Sequence, residues 1–200
     1  RGLGDVYKRQ AFLFAQKYHS AMKNVGPVRK EMGERTIFNI LGPLTNPANA
    51  SRQLLGVYDK ELVEKLAEVL ANLGVTRGMS VCGGDGLDEI TVTGPTYCCE
   101  IKDGELTSYE IIPEQFGLST YPLAELVGGT PEENAQITKD ILSGTLKGAK
   151  RDVVLMNAGI GIYLGSENLT MEEGIKKAEE LINSGKAYEK MEEFVKATQQ

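Results

Sequence analysis

An apolar repeat at helical spacing, set between two apolar runs of strand length, constrains the fold of this chain most. The repeat consists of Leu62, Val63, Leu66, Val69, Leu70 and Leu73. Its spacing predicts a helix that ends at Gly74. The flanking residues 53–58 and 77–82 have the composition of β-strands. Strands interleaved with helices indicate a mixed α/β domain.

Shorter signals predict the remaining elements. Residues 97–101 and 106–112, joined across a turn that contains Gly104, are typical of a β-hairpin, which we expect at the periphery of the fold. Capping boxes at 130–133 and 170–173 predict two helices, the second ending near Ser184. Residues 19–42 should be helical in short pieces, with Pro27 at a start and Gly33 at a stop.

Two prolines restrict the segment that follows. Pro43 and Pro47 each favour extended geometry in the residue before them. We therefore predict a stiff loop over residues 41–50.

Composition excludes several classes of protein. The 200 residues are 41% hydrophobic and carry a formal net charge of -6, which is typical of a soluble globular chain and argues against a protein that neutralises nucleic-acid phosphates. No apolar run reaches the roughly 18 residues of a membrane span. The three cysteines lack C-x-x-C spacing and indicate a reducing cytoplasm. Zinc is disfavoured because His19 is the only histidine.

A glycine-rich turn after the second strand presents two adjacent carboxylates, Asp88 and Glu89. Hard oxygen ligands at the end of a strand suggest Mg²⁺, and Mg²⁺ suggests a phosphorylated substrate. An ordinary solvated acidic turn would have the same composition. The residues of the turn alone leave both interpretations open.

Longer motifs resemble one enzyme family. They are 12–15 (Phe-Leu-Phe-Ala), the stretch from His19 to Pro47, 53–57 (Gln-Leu-Leu-Gly-Val), 86–90 (Gly-Leu-Asp-Glu-Ile) and 183–187 (Asn-Ser-Gly-Lys-Ala). Together they closely resemble the anthranilate phosphoribosyltransferases. The family's Gly-Thr-Gly-Gly-Asp and Lys-His-Gly-Asn motifs, which hold phosphoribosyl diphosphate, do not occur here. The resemblance therefore covers the C-terminal part of the enzyme.

The resemblance implies an α/β fold of the nucleoside phosphorylase and phosphoribosyltransferase kind, with a central, mostly parallel sheet flanked by helices. Residues 11–200 would belong to this domain, and about 18–45 would pack with a small helical domain that is mostly missing. The segment 159–165 has G-x-G-x-x-x-G spacing, which does not fit a dinucleotide fingerprint. The resemblance places it on a buried helix. Residues 1–10 do not match the family, and we interpret them as foreign or artefactual rather than as a variable loop.

The resemblance also implies an activity in tryptophan biosynthesis. Anthranilate would react with 5-phosphoribosyl 1-diphosphate to give phosphoribosyl-anthranilate and pyrophosphate. Asp88 and Glu89 would bind Mg²⁺, while Arg29, His19 and Pro43 would form the anthranilate pocket, with no side chain acting as acid or base. We expect a cytoplasmic homodimer for the full-length enzyme, and an inactive chain that is monomeric or aggregation-prone when it stands alone.

Two alternatives remain open. A pyrimidine nucleoside phosphorylase-like enzyme would share the fold, but such enzymes do not usually have Gly-Leu-Asp-Glu in this context. A non-enzymatic relative that binds nucleic acid should be basic and should lack the Mg²⁺ carboxylates, whereas this chain is acidic and has both.

Overall fold

The computed structural model describes residues 26–27, 31–33, 38–46 and 48–199. They divide into two compact units. The larger is Ser51–Glu192, and the smaller comprises the described residues before Ser51 together with residues 193–199. In the smaller unit, residues 31–32 are helical, and Gly33 takes a φ of 66°, as expected for a residue that ends a helix.

The larger unit is built on a four-stranded sheet. Its strands are β1 (Arg52–Gly56), β2 (Arg77–Gly83), β3 (Thr96–Lys102) and β4 (Glu105–Ile111), in that spatial order. Strands β1 and β2 are parallel, while β2 with β3 and β3 with β4 are antiparallel. The sheet is therefore mixed, because only the first pair is joined through a helix.

The described part of the chain has six α-helices with defined bounds, of which the first belongs to the smaller unit. They are α1 (Phe38–Leu44), α2 (Val63–Asn72), α3 (Pro131–Leu142), α4 (Ala149–Gly165), α5 (Met171–Asn183) and α6 (Lys186–Thr198). Short 3₁₀ turns occur at Lys60–Leu62, Pro113–Phe116 and Leu123–Glu125. The predicted helix after the first strand, both capped helices and their boundaries are confirmed.

Helices cover both faces of the sheet, so all seven residues of β2 are buried. Met79 and Val81 belong to the main core together with apolar side chains of α4 and α5. Because side chains alternate along a strand, Ser80 and Cys82 point to the opposite face, where α2 contacts β2 and β3. The predicted α/β architecture with flanking helices is confirmed, but the described sheet is mixed rather than mostly parallel, because two of its three strand pairs are antiparallel and are joined without a crossover helix.

The hairpin is present, but its predicted peripheral position is wrong for one of its strands. Asp103 and Gly104 form a two-residue turn with φ values of 52° and 84°, which suits the twist of paired strands. Strand β3 lies between β2 and β4 and is buried along most of its length. Of the two hairpin strands, only β4 lies at an edge of the sheet. The turn residues of a hairpin predict that its two strands pair with each other, but they do not predict whether a third strand pairs with either of them.

The first half of the predicted stiff loop is helical instead. Helix α1 includes Pro43, and the Thr45 amide donates to the Leu41 carbonyl at 3.0 Å. Pro43 is tolerated because Gly42 has no Cβ to clash with the proline ring. The irregular backbone begins at Thr45, where the Asn46 side chain accepts a hydrogen bond from the Ala48 amide at 2.9 Å.

Helices α4 and α5 pack at very close range through two glycines. A Cβ on Gly159 would overlap the backbone of Ile175, and a Cβ on Gly174 would overlap the carbonyl of Gly159. The segment 159–165 thus lies on a helix whose glycine serves packing, as predicted, and the dinucleotide interpretation has no support in its geometry.

We expect Gly159→Ala to lower the free energy of unfolding of this chain by about 1–3 kcal/mol, because the overlapping atoms are backbone and the two helices must separate. Gly161→Ala is the matched control on the same helix. Its Cβ would meet open space, and alanine favours helix by up to about 1 kcal/mol. Urea unfolding of both variants makes the comparison, and equal stabilities would contradict the packing role of Gly159.

Candidate functional site

The carboxylate turn, residues 84–90, lies at the carboxyl ends of the two parallel strands. It leaves β2 after Gly83 and crosses to the end of β1, where the backbone of Asp88 lies against Gly56. The approach is so close that a Cβ on Gly56 would overlap the Asp88 carbonyl group. Open α/β sheets bind ligands at this end of their parallel strands. The turn is therefore in the position that a ligand site requires.

A buried network at its base holds the turn in shape. The Asp85 carboxylate accepts hydrogen bonds from the hydroxyls of Thr91 at 2.6 Å and Thr93 at 2.5 Å, and from the Leu87 amide at 3.0 Å. Burial alone would raise the pKa of Asp85, but these three hydrogen bonds outweigh it and hold the pKa below its ordinary value. Asp85 is thus a structural anion rather than a free ligand.

A depressed pKa makes the contribution of Asp85 dependent on pH. Its stabilisation is present above the unfolded-state pKa of about 4 and is lost as the pH falls through the lower folded-state pKa. We expect Asp85→Asn to be less stable than the parent chain at about pH 7, and the gap to narrow as the pH falls below about 4. Urea unfolding across this range measures the gap, and a gap that is constant with pH would contradict the network.

Asp88 and Glu89 themselves are exposed at the tip of the turn. Partial burial, with the neighbouring Asp88 charge as a second cause, raises the pKa of Glu89. Nearby, burial followed by the charges of Asp59, Asp85 and Asp88 raises the pKa of Cys82, which keeps this thiol protonated. Burial is the larger cause of both shifts, but the charges of Asp59, Asp85 and Asp88 add a negative field at the strand ends, and such a field favours a bound cation.

The donor set fits a magnesium ion that shares its ligands with a substrate. Two carboxylates are adjacent in the turn, and within the described residues no group of three His, Cys, Asp or Glu side chains is arranged to hold a metal. Mg²⁺ is commonly bound through one or two carboxylates, with water and substrate phosphates completing its shell. Asp88 and Glu89 could hold the ion in this way.

The predicted anthranilate residues are only partly described. His19 and Arg29 lie outside the described residues. Pro43 is described, and it is an exposed residue inside α1 rather than part of a stiff extended wall. The anthranilate pocket therefore stays a prediction.

Sequence reasoning missed the residues that fix the turn. Gly56 lies in the motif 53–57 and Asp85 lies in the glycine-rich turn, but the sequence assigns a role to neither. Asn157, on α4, hydrogen-bonds the backbone of Ile90 although 67 residues separate them. One signal could have identified it: Asn157 is the one amide in the apolar stretch 153–162, and a buried polar group needs a partner.

A cavity of about 750 Å³ is found elsewhere, with Arg77, Tyr109 and Tyr163 among its lining residues and no residue of the carboxylate turn. Behind it, the Glu100 carboxylate accepts hydrogen bonds from the hydroxyls of Tyr109 at 2.7 Å and Tyr163 at 2.6 Å. Burial, strengthened by these bonds, raises the pKa of both phenols. The polar groups of Glu100, Tyr109 and Tyr163 satisfy one another, so we interpret these three residues as structural.

Similar proteins identify the family. Residues 7–188 match the family described as "Glycosyl transferase family, a/b domain". The anthranilate phosphoribosyltransferase of Endomicrobium trichonymphae is 54% identical over 187 residues, which cover 94% of this chain and 55% of that protein. The resemblance found in the sequence motifs is confirmed. In the described part of the chain, no helix is long and apolar enough to cross a membrane.

Solved structures agree with this assignment. Anthranilate phosphoribosyltransferase from Thermus thermophilus superposes with a TM-score of 0.89 at 41% identity, covering 97% of this chain and 57% of that one. The Saccharomyces cerevisiae enzyme in complex with PRPP and Mg has a TM-score of 0.81 at 35% identity, covering 90% and 52%. The chain spans little more than half the length of these relatives. It belongs to the glycosyl transferase family, whose α/β domain matches most of its 200 residues.

Proposed function

We propose that this chain is the C-terminal part of an anthranilate phosphoribosyltransferase, an enzyme of tryptophan biosynthesis. The observation that carries the proposal is the exposed Asp88–Glu89 pair, fixed at the carboxyl ends of β1 and β2 in a negative field. Relatives at 54% identity bear this name, and a solved relative holds PRPP and Mg. A nucleic-acid-binding role is disfavoured by the net charge of -6.

In the proposed reaction, the amino nitrogen of anthranilate bonds to the anomeric carbon of phosphoribosyl diphosphate. The bond from that carbon to the diphosphate oxygen breaks, and the amino group releases a proton. When bound, Mg²⁺ neutralises charge on the departing diphosphate. Asp88 and Glu89 hold and orient that ion, and the rigid turn keeps their oxygens in place before substrate arrives. The protein's main contribution is to position the two substrates and the ion and to balance charge, rather than to act as a general acid or base.

For the second substrate, we propose that the Arg29 guanidinium pairs with the anthranilate carboxylate, with His19 and Pro43 lining the pocket. A planar guanidinium matches a carboxylate in two parallel hydrogen bonds. This part of the proposal rests on the motif around residues 19–47 and on the names of the relatives. The diphosphate-binding motifs would come from the part of the relatives' length that this chain does not span, and we propose a homodimer for the full-length protein.

Fluorescence of anthranilate tests the proposed function in the full-length protein that carries this sequence. Addition of phosphoribosyl diphosphate and Mg²⁺ should lower the fluorescence as anthranilate is consumed, and omission of either should stop the reaction. The 200-residue chain alone should show no turnover, because it has neither diphosphate-binding motif. Turnover by full-length protein with a nucleoside and phosphate, but not with anthranilate, would instead favour a nucleoside phosphorylase.

Arg29→Ala should raise the KM for anthranilate about 30-fold in the full-length protein. Removing the guanidinium leaves a desolvated carboxylate unpaired, at a cost of roughly 2 kcal/mol or more, and each ~1.4 kcal/mol is tenfold. The KM for phosphoribosyl diphosphate should stay nearly constant, which makes it the internal control. Steady-state kinetics with each substrate varied in turn provide both values. An equal rise in the two would indicate misfolding, and no rise for anthranilate would leave Arg29 a surface charge.

A further inference from the structure

The side-chain amide of Asn157 clamps the backbone directly after the carboxylate pair. Its oxygen accepts a hydrogen bond from the Ile90 amide at 3.1 Å, and its nitrogen donates to the Ile90 carbonyl at 2.8 Å. The same nitrogen donates to the Val153 carbonyl at 2.9 Å, one turn earlier on α4. This third bond fixes the amide's orientation, so the two bonds to Ile90 join the turn to a rigid helix.

The remaining hydrogen bonds hold the turn on either side of the pair. The Gly83 amide donates to the Leu87 carbonyl at 2.9 Å and the Leu87 amide donates to Asp85 at 3.0 Å, while the Thr91 amide is held by the Thr96 hydroxyl at 3.0 Å. Among the described residues, the backbone groups of Asp88 and Glu89 have no hydrogen-bond partner. The backbone around the pair is therefore held by Asp85 at Leu87, by the contact of Asp88 with Gly56, and by Asn157 at Ile90, and only the last of these joins the turn to a helix.

We infer that Asn157 is a positioning residue for the Asp88–Glu89 pair: it sets where the two carboxylates stand and so how well they hold a divalent cation with the diphosphate. The inference rests on the proposed function, because it gives the pair a metal to bind. Asn157 is half-buried in an otherwise apolar stretch of α4. A leucine has the same side-chain branching and suits the apolar stretch, but it leaves the buried Ile90 amide and carbonyl without this partner. The three bonds of Asn157 are directed at the turn and at its own helix, not at a ligand.

Asn157→Leu in the full-length protein tests this role, with Tyr163→Phe as the matched control. The control also deletes a tertiary hydrogen bond made by α4, which runs from the Tyr163 hydroxyl to Glu100. Tyr163 lies six residues after Asn157, so its loss should leave the contact with Ile90 intact. Binding of Mn²⁺ in the presence of phosphoribosyl diphosphate is measured by electron paramagnetic resonance. We expect Asn157→Leu to weaken Mn²⁺ binding about 10-fold or more, as loss of outer-shell support does, and Tyr163→Phe to leave it unchanged.

A second measurement needs no variant. If the hydrogen bonds from Asn157 to Ile90 favour the turn geometry that binds the metal, then metal binding must in turn stabilise those hydrogen bonds. Addition of Mg²⁺ and phosphoribosyl diphosphate to the unaltered protein should slow hydrogen exchange at the Ile90 amide by about 10-fold, matching the coupling expected for the variant. This readout stands even if Asn157→Leu fails to fold.

The outcomes separate the inference from the proposed function. The double variant Asp88→Asn, Glu89→Gln is included as a reference for loss of the metal ligands themselves. The positioning role is overturned, and the metal site stands, if the double variant loses Mn²⁺ while Asn157→Leu binds it normally. The same conclusion follows if Asn157→Leu and Tyr163→Phe weaken Mn²⁺ binding equally. If the double variant binds Mn²⁺ as the parent does, the metal assignment fails, and the role of Asn157 fails with it.

Discussion

Replacing both carboxylates of the turn, by Asp88→Asn with Glu89→Gln, is expected to lower kcat/KM of the full-length protein by roughly 100-fold or more. The amides keep the size of the side chains but lose the charge that holds a divalent cation. Metal stabilisation of developing charge is worth several kcal/mol, and each ~1.4 kcal/mol is a factor of ten. Initial rates measured over a series of Mg²⁺ concentrations determine the loss, which should be greatest when Mg²⁺ is limiting.

The fold should survive this change, because both side chains are exposed and the turn is fixed through its backbone. Asp103→Asn with Glu105→Gln is the matched control: it removes the same charge from two exposed residues, Asp103 in the hairpin turn and Glu105 at the start of β4. Thermal unfolding of all three proteins should agree within a few degrees. If the site variant kept its rate at limiting Mg²⁺, or if the control lost as much of its rate, Asp88 and Glu89 would be only part of a solvated acidic turn.

Gly56→Ala is expected to lower turnover about 100-fold although residue 56 touches no substrate. The new Cβ would overlap the Asp88 carbonyl group, so the turn must move away from β1 and take its carboxylates with it. A displacement of about 1 Å in a positioned group costs on the order of 10²-fold in rate. Steady-state kinetics should show the loss mainly in kcat, accompanied by a higher Mg²⁺ requirement.

Gly94→Ala is the control for this substitution. Gly94 lies in the loop between the turn and β3, and a Cβ there would meet open space. It should keep parental activity. If Gly56→Ala were as active as Gly94→Ala, the contact between β1 and Asp88 would have no part in the function.

Local patterns in the sequence predicted the elements that depend on local chemistry. The repeat from Leu62 to Leu73 became α2, and the Thr130 and Thr170 capping boxes both form in the structure. Asp103 and Gly104 provided the turn of the hairpin. In each case the sequence signal and the element that it specifies lie in the same short segment of the chain, so the prediction did not depend on contacts with distant residues.

Contacts between distant segments could not be predicted in this way. The approach of Asp88 to Gly56 joins residues 32 positions apart, and the Asn157 clamp joins residues 67 apart. The central position of β3 depends on pairing with β2, which the hairpin signal does not encode. The sequence places the carboxylate turn at the end of a strand, as observed, but the contacts that make the turn rigid come from other elements.

The most direct test of the account is the position of the metal. Crystals of the full-length protein containing phosphoribosyl diphosphate and Mn²⁺ in place of Mg²⁺ allow the ion to be located by its anomalous scattering. We predict a peak within coordinating distance of an oxygen of Asp88 or Glu89 and of a diphosphate oxygen, and its absence at this place in the Asp88→Asn, Glu89→Gln variant. A peak on the diphosphate that is remote from both carboxylates would contradict the assignment of the carboxylate turn as the metal site.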